Sequence, residues 1–191
     1  MIPDYRTCIQ TMQATGMWPN IFRHSLQVAK VAGFLAEELT KVGVGLNLRL
    51  VEAGALLHDL AKSQTIGNGG DHAALGAELV TKLGFGELAQ IVLRHVWLNR
   101  VSQAAVIDEV FIINYSDKRI KHDQVVSLSE RFQDLTVRYG QTPDRKEMMH
   151  RLFLETQELE KLIFSFLPFG PDQVPLFQSS EAELVAASPK G

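Results

Sequence analysis

The stretch that decides the fold is VEAGALLHDLAK, residues 51–62. It begins as an apolar run with the composition of a buried helix, and an adjacent His58-Asp59 pair follows, with Lys62 three residues after the aspartate. Burying an imidazole and a carboxylate costs free energy unless a partner compensates them. A divalent metal would do so, because neutral imidazole and ionised carboxylate are both good ligands. The alternative is a structural His58–Asp59 hydrogen bond that caps the helix.

Composition restricts the class of protein. The length of 191 residues allows one sizeable domain, or one domain with a tail. The net charge of −3 provides no basic surface, so we expect no nucleic-acid partner. The single cysteine, Cys8, excludes an intrachain disulfide and a Cys-rich zinc site. Any metal in this chain must therefore be held by histidines and carboxylates.

The hydropathy pattern indicates a protein without a membrane span. No apolar run reaches the length that a transmembrane helix needs. The N-terminal sequence MIPD, residues 1–4, does not have the pattern of a signal peptide. We therefore expect a cytoplasmic protein with no membrane partner.

Apolar residues recur at helical spacing along most of the chain, between turns rich in glycine and proline. The pattern contains neither an internal repeat nor an alternation of strands and helices. The predicted helices cover residues 4–15, 19–40, 48–61, 72–83, 87–96, 105–121, 127–139 and 144–166. We predict an all-α fold, with a single bundle of about seven or eight helices at residues 1–166. Residues 167–191 are predicted to be a partly flexible C-terminal tail.

Polar residues interrupt several of the apolar helical faces and helix ends. They are His24, His58, Asp59, His72, His95 and Asp117. Taken alone, a buried histidine is more often a hydrogen-bonded core residue, and Asp117 would be a surface or capping carboxylate. Together, on five predicted helices, they favour one shared site. The other two histidines, His122 and His150, have charged neighbours and are expected to be solvated.

The order of these residues, a histidine, the HD pair and a late aspartate, resembles the signature of the HD superfamily of metal-dependent phosphohydrolases. Three segments carry the resemblance, a first-histidine helix, an HD-x-x-K helix and a late (A/S)-D-K motif: FRHSLQVA at 22–29, AGALLHDLAK at 53–62 and YSDK at 115–118. The motif core covers about residues 20–125. The frequent H-D-I-G form of the family is here HDLA at 58–61, which keeps both ligands.

The resemblance extends to a subset with binuclear sites, which includes the short branch that cleaves diadenosine tetraphosphate. HAALGA at 72–77 and the Arg94-His95 pair are similar to the two additional histidines of this subset. The resemblance implies an HD-type all-α bundle that binds one or two divalent metals. The implied ligands of the first metal are His24, His58, Asp59 and Asp117, and those of the second are Asp59, His72 and His95.

The resemblance further implies hydrolysis of a phosphoester or phosphoanhydride in a nucleotide-type substrate, with a metal-bound hydroxide as nucleophile. Nitrogen and oxygen ligands suit Fe, Mn, Co, Ni or Zn better than Mg. Asp59 and Lys62 are the expected catalytic residues. The Lys62 ammonium would reach a substrate phosphate, or it would only interact with the dipole at the helix C-terminus. The glycine-rich loop 65–71 is expected to form an edge of the pocket.

The sequence is also compatible with two other functions. One is a non-catalytic HD-fold module that binds a metal or nucleotide for signalling, although a complete ligand set argues for an enzyme. The other is a di-iron HD oxygenase, because the same ligands support oxygen activation. The charged helix 144–166 and the tail are candidate interfaces, and a homodimer is one expected partner arrangement.

Overall fold

The computed structural model describes residues 1–98, 106–178 and 180–188. Its fold is all-α, as predicted. The helices are α1 Tyr5–Ala14, α2 Pro19–Lys41, α3 Leu48–Leu57, α4 Lys62–Thr65, α5 His72–Lys82, α6 Ala89–Arg94, α7 Glu109–Lys118, α8 Leu128–Tyr139, α9 Pro143–Phe164 and α10 Glu181–Ala186. Between α7 and α8, two short strands, β1 Ile120–Lys121 and β2 Gln124–Val125, pair antiparallel. Among the helices of the described chain, none is long and apolar enough to cross a membrane.

The predicted helix 105–121 is shorter at both ends. Asp108 caps α7, because its carboxylate accepts a hydrogen bond of 2.9 Å from the backbone N–H of Phe111. At the other end, Ile120 begins the short hairpin, whose turn places His122 in the left-handed region with φ 59°. Residue 105 lies outside the described residues, as does most of the predicted loop 97–103.

The apolar core consists of two clusters that share α2. Val31 and Leu35 pack in the cluster formed with α7 and α9, whereas Phe22 and Leu26 pack in the cluster formed with α1, α5 and α6. The next helix, α3, lies close to α6 and α7 at Gly54. A Cβ on Gly54 would lie 2.7 Å from Cδ1 of Ile113 and 2.9 Å from Cγ2 of Ile91. This close approach brings together the C-terminal ends of α3, α6 and α7.

The described part of the predicted tail packs against α1 and α2. The Lys30 ammonium donates hydrogen bonds to Glu183 at 2.8 Å and to the carbonyl of Gln178 at 2.7 Å. The Gln13 side-chain amide donates to the carbonyl of Ala186 at 3.0 Å. The ring of Phe34 contacts that of Phe177, with centroids 6.3 Å apart. These contacts fix the described tail residues on the bundle, and the division at residue 166 stays a prediction.

Cys8 is expected to be unreactive in the native protein. Its side chain is fully buried in α1, and burial raises the pKa of the thiol to about 12 from the ordinary value of 9.0. The thiolate is the reactive form, so at pH 8 the reactive fraction falls about a thousandfold relative to the unfolded chain. Labelling with Ellman's reagent, with and without guanidinium, measures the difference. Rapid labelling of the native protein would contradict the burial of this thiol.

Candidate metal centre

The polar residues singled out in the sequence converge at one point of the bundle. His24 comes from α2, His72 is the first residue of α5, and Asp117 lies near the end of α7. His58 and His95 are the C-cap residues of α3 and α6. All are buried except His72, which is partly exposed.

The helix predicted over 48–61 ends earlier than expected, at Leu57. Beyond that point the backbone makes tighter i to i+3 hydrogen bonds, from Leu60 N–H to Leu57 and from Lys62 N–H to Asp59. Asp59 therefore lies in a turn between α3 and α4 instead of on a regular helix. This position lets its carboxylate contact residues from several helices.

One oxygen of Asp59 faces a first cluster. Its Oδ2 lies 3.3 Å from Nε2 of His58 and 4.0 Å from Nε2 of His24. Asp117 completes the group, with Oδ1 2.9 Å from Nε2 of His24 and 3.8 Å from Nε2 of His58. Two imidazoles and two carboxylates therefore converge from four elements of the fold.

The other oxygen of Asp59 faces a second cluster. Its Oδ1 lies 3.3 Å from Nε2 of His72 and 3.4 Å from Nε2 of His95. The two Nε2 atoms of His72 and His95 are 3.2 Å apart. Asp59 is consequently shared, with one carboxylate oxygen directed to each group of histidines.

Backbone carbonyls hold three of the imidazole rings in position. The Nδ1 atoms of His24, His58 and His95 lie 3.0, 2.7 and 2.6 Å from the carbonyl oxygens of His122, Ala55 and Val92, respectively. A carbonyl only accepts hydrogen bonds, so each Nδ1 carries the proton and donates it. The tautomer assigned in this way leaves the Nε2 lone pair of a neutral ring directed into the centre. Metal-binding histidines are oriented by this type of hydrogen bond.

The centre contains more hydrogen-bond acceptors than donors. Within the described residues, Nε2 of His58 and Oδ1 of Asp59 are buried without a hydrogen-bond partner. An unsatisfied buried polar atom costs about 1–3 kcal/mol. A cation among these atoms would satisfy them, because imidazole nitrogens and carboxylate oxygens are both metal ligands. The residues present therefore fit a divalent metal.

The two aspartates are ionised. Burial alone would raise their pKa values, but neighbouring cations outweigh this effect. Lys62 and His58 hold the pKa of Asp59 well below its ordinary value, with Nζ of Lys62 2.6 Å from Oδ2 of Asp59. Lys118 does the same for Asp117, with Nζ of Lys118 2.8 Å from Oδ2 of Asp117. Both carboxylates are therefore available as anionic ligands near neutral pH.

The buried histidines differ in their response to this environment. Burial lowers the pKa of His95 to about 4, and it also lowers the pKa of His24. Burial opposes the charge on His58 too, but Asp59 and then Asp117 outweigh it and raise its pKa. His24 and His95 are therefore neutral at physiological pH, the protonation state in which an imidazole binds a metal.

Two supporting residues lie on α7. The Asn114 side-chain amide and the Lys118 ammonium both donate hydrogen bonds to the carbonyl of His95, at 2.7 and 3.0 Å. They fix the end of α6 that carries His95. Lys118 belongs to the late motif of the sequence, but Asn114 was not singled out. Its only signal is a polar residue in an otherwise apolar run, one turn before Lys118.

His122 was expected to be solvated, and its side chain is exposed, as is that of His150. Its backbone, however, supports the centre, because its carbonyl accepts the Nδ1 proton of His24. The left-handed conformation of His122 in the hairpin turn is part of this arrangement. A sequence pattern carries no information on the direction of a turn carbonyl, so this contact was not predicted.

A cavity of about 630 Å³ opens onto the centre. His72, His95 and Asp117 line its inner end, and Lys62 lies beside them. The loop expected to form an edge of the pocket does so, through residues Thr65, Ile66, Gly67 and Gly70. The remaining wall comes mainly from α8 and α9, which carry none of the motifs recognised in the sequence.

The HD domain family model matches residues 21–127, more than half of the chain. The chain belongs to the HD domain family. HD domains bind divalent metals, and the two His/Asp clusters are able to hold one. The specific branch that cleaves diadenosine tetraphosphate is not singled out by this match.

Similar curated proteins come from archaea and bacteria. An uncharacterized protein of Methanocaldococcus jannaschii is 36% identical over 88 residues, which are 46% of this chain and 51% of that protein. Ribonuclease Y of Pelobacter propionicus is 41% identical over 78 residues, which are 41% of this chain and 14% of that enzyme. A tRNA (cytidine(56)-2'-O)-methyltransferase of Picrophilus torridus is 30% identical over 143 residues, which are 68% of this chain and 40% of that protein.

This HD chain thus spans about half, or less, of the length of these three relatives. No solved structure matches it significantly. The similarity to the first two relatives is confined to less than half of the chain. The comparisons therefore identify the domain family, and they leave the substrate open.

Proposed function

We propose that this HD protein is a metal-dependent phosphohydrolase that cleaves a phosphoester or phosphoanhydride bond in a small nucleotide-type substrate. The observation that carries the proposal is the position of Asp59. Its two carboxylate oxygens face different pairs of histidines, at 3.3 to 4.0 Å. This arrangement supports two metal ions that share one carboxylate.

In this proposal, His24, His58, Asp59 and Asp117 hold one ion, and Asp59, His72 and His95 hold the other. The nitrogen and oxygen ligands favour Fe, Mn, Co, Ni or Zn over Mg. When bound, the ions offset negative charge on a phosphate oxygen and lower the pKa of a water molecule.

Lys62 is the residue of the chain best placed to assist. Burial opposes its positive charge, but Asp59 outweighs this effect and raises the pKa of Lys62. The ammonium is therefore charged, and it lies at the cavity wall. An ammonium has three N–H donors, and Asp59 accepts from one of them at 2.6 Å. In the proposed reaction, the others bind a phosphate oxygen of the substrate as a point charge.

The size of the cavity and the charge of the chain favour a small nucleotide over an RNA strand. A volume of about 630 Å³ is within the range of small-molecule sites. The net charge of −3 provides no extended basic surface for a nucleic-acid backbone. Diadenosine tetraphosphate is the first candidate, because the chain has the two additional histidines. Since one relative is by name a ribonuclease, an RNA oligonucleotide is the necessary comparison substrate.

Metal analysis of the purified protein, combined with a phosphate-release screen, tests the proposal. We expect two metal ions per chain, and hydrolysis of at least one nucleotide that stops when the metals are chelated. The screen contains nucleoside monophosphates, nucleoside triphosphates, diadenosine tetraphosphate, guanosine tetraphosphate, p-nitrophenyl phosphate and an RNA oligonucleotide.

Three other results would each contradict the proposal. Bound metal without hydrolysis of any substrate would favour a binding module. Oxygen consumption by an iron-loaded protein would favour an oxygenase. An absence of bound metal, together with a melting temperature that chelation does not change, would contradict the metal centre itself.

A further inference from the structure

The outer wall of the cavity comes from residues beyond the matched domain. The match to the HD family ends at residue 127, and α8 and α9 follow it. These helices contribute seven residues to the wall: Arg131, Leu135, Tyr139, Arg145, Met148, Met149 and Leu152. None of the family motifs lies in these two helices. The side chains that they contribute therefore indicate which ligand this particular cavity binds.

Arg131 is the most unusual residue of this wall. Only 9% of its side chain is exposed, and its Nε is buried without a hydrogen-bond partner in the described part of the chain. Its Nη1 donates a hydrogen bond of 3.2 Å to Oδ2 of Asp134. In a guanidinium group, the N–H groups of Nε and Nη2 point in the same direction and form a fork for two oxygens. Asp134 therefore anchors one side of Arg131, and among the described residues nothing forms a hydrogen bond with the Nε–Nη2 fork on the other side.

The local charge is also positive. Asp134 is shared, because Nη2 of Arg138 lies 2.9 Å from its other oxygen. One carboxylate thus faces two guanidinium groups. Lys62 and Lys118, the two lysines of the described cavity wall, are each paired with an aspartate of the metal centre. In the described wall, the Nε and Nη2 groups of Arg131 would offer an anion two parallel N–H donors on a buried side chain.

Flat and apolar side chains also line the cavity. Trp97, Tyr139 and Met148 line the cavity and remain 41%, 47% and 37% exposed. Aromatic rings stack on nucleobases, and thioethers make favourable contacts with aromatic rings. The outer end of the cavity therefore combines an apolar surface with one anion-binding arginine.

We propose that Arg131 binds a substrate phosphate that the metal centre does not hold, while the base lies against Trp97, Tyr139 and Met148. This inference rests on the proposed function and specifies its substrate class. The protein selects nucleoside polyphosphates, which have a second phosphate for Arg131, over monophosphates, which do not. Arg131 is accordingly a specificity-determining residue.

Calorimetric binding to the Mn²⁺-loaded full chain tests this inference without relying on turnover. The ligands are AMP and β,γ-imido-ATP, and the variants are Arg131→Gln, Arg131→Lys and Arg138→Gln. We expect Arg131→Gln to weaken imido-ATP binding on the order of ten- to a hundredfold, as for loss of a charged hydrogen bond, and AMP binding less than about threefold. Arg131→Lys should be intermediate, because it keeps the charge but loses the fork. Arg138→Gln is the matched control, since it removes the other partner of Asp134.

Equal weakening of AMP and imido-ATP by Arg131→Gln would overturn the inference, as would unchanged imido-ATP binding in both Arg131 variants. If Arg131→Gln does not fold, Arg131→Lys supplies the comparison. Failure of imido-ATP to bind the wild-type protein would also overturn it.

Hydrolysis of p-nitrophenyl phosphate separates the two proposals, because this substrate has a single phosphate. Hydrolysis of p-nitrophenyl phosphate together with imido-ATP binding that does not depend on Arg131 rejects the inference alone, whereas Arg131-dependent imido-ATP binding without hydrolysis of any substrate rejects the proposed reaction alone.

Discussion

Asp59→Asn is expected to reduce phosphate release by more than about a thousandfold and to lower the metal content of the chain. Loss of one donor that stabilises a transition state costs about a hundred- to a thousandfold, and Asp59 serves two proposed metal ions. Its Oδ2 faces His58 and its Oδ1 faces His72, each at 3.3 Å. Asparagine retains the shape but removes the charge and replaces one oxygen with an N–H donor, which repels a cation. Phosphate-release kinetics and metal analysis by mass spectrometry measure both effects.

The exposed tail residue Asp172 provides a matched control. Asp172→Asn makes the same chemical change away from the centre, so its activity and metal content should equal those of the wild-type protein. Circular dichroism of Asp59→Asn should show an unchanged helix content. A folded Asp59→Asn protein with two metals and full hydrolysis would rule out the shared carboxylate as the basis of function.

Arg119→Ala is expected to lower the free energy of unfolding by about 3–5 kcal/mol, the largest loss of stability among the proposed substitutions. Arg119 is buried, and its guanidinium makes three hydrogen bonds. The acceptors are the carbonyl of Val126 at 2.7 Å, the hydroxyl of Tyr115 at 2.6 Å and the carbonyl of Pro171 at 3.1 Å. Glu160, with its Oε2 3.7 Å from Nη1 of Arg119, would lose its buried cationic partner.

Urea unfolding of the full chain measures this loss. Arg119→Met tests the charge separately, because it keeps most of the aliphatic volume. Arg138→Ala is the comparison at a more exposed position, 40% exposed, where loss of a surface ion pair should cost at most about 1 kcal/mol. A loss below about 1 kcal/mol for both Arg119 variants would show that this network does not hold α7 against α9 and the tail.

Much of the fold was predictable because its signals are local. Apolar spacing predicted the long helices, and a local signal also explains the start of α5, where the carboxylate of Asp71 accepts hydrogen bonds from the backbone N–H groups of Ala73 and Ala74. The boundaries were less predictable. The end of α3 at Leu57 depends on tight turns beyond it, and the hairpin at Ile120 depends on pairing between two-residue strands. Neither feature produces a regular spacing of apolar residues that could be recognised in the sequence.

The candidate centre was predictable as two groups of residues that share Asp59, but the contacts that support those residues were not predictable. The order of His24, His58-Asp59 and Asp117 predicted the family, and the family match confirms that assignment. The convergence of these residues with His72 and His95 agrees with the expected geometry, while their role as ligands stays a proposal. The carbonyl of His122 and the amide of Asn114 have no such pattern, because their role depends on backbone direction and helix packing.

The sequence by itself determined the helical architecture, the HD pair and the residues available to bind a metal, because periodicity and residue chemistry are local properties. Only the tertiary structure decided that each oxygen of Asp59 faces a different pair of histidines, and that Arg131 lines the cavity with its buried Nε unpartnered among the described residues. Both depend on contacts between residues far apart in the chain. The close packing of α3 at Gly54 against α6 and α7 brings such residues together, and no single stretch of sequence contains that contact.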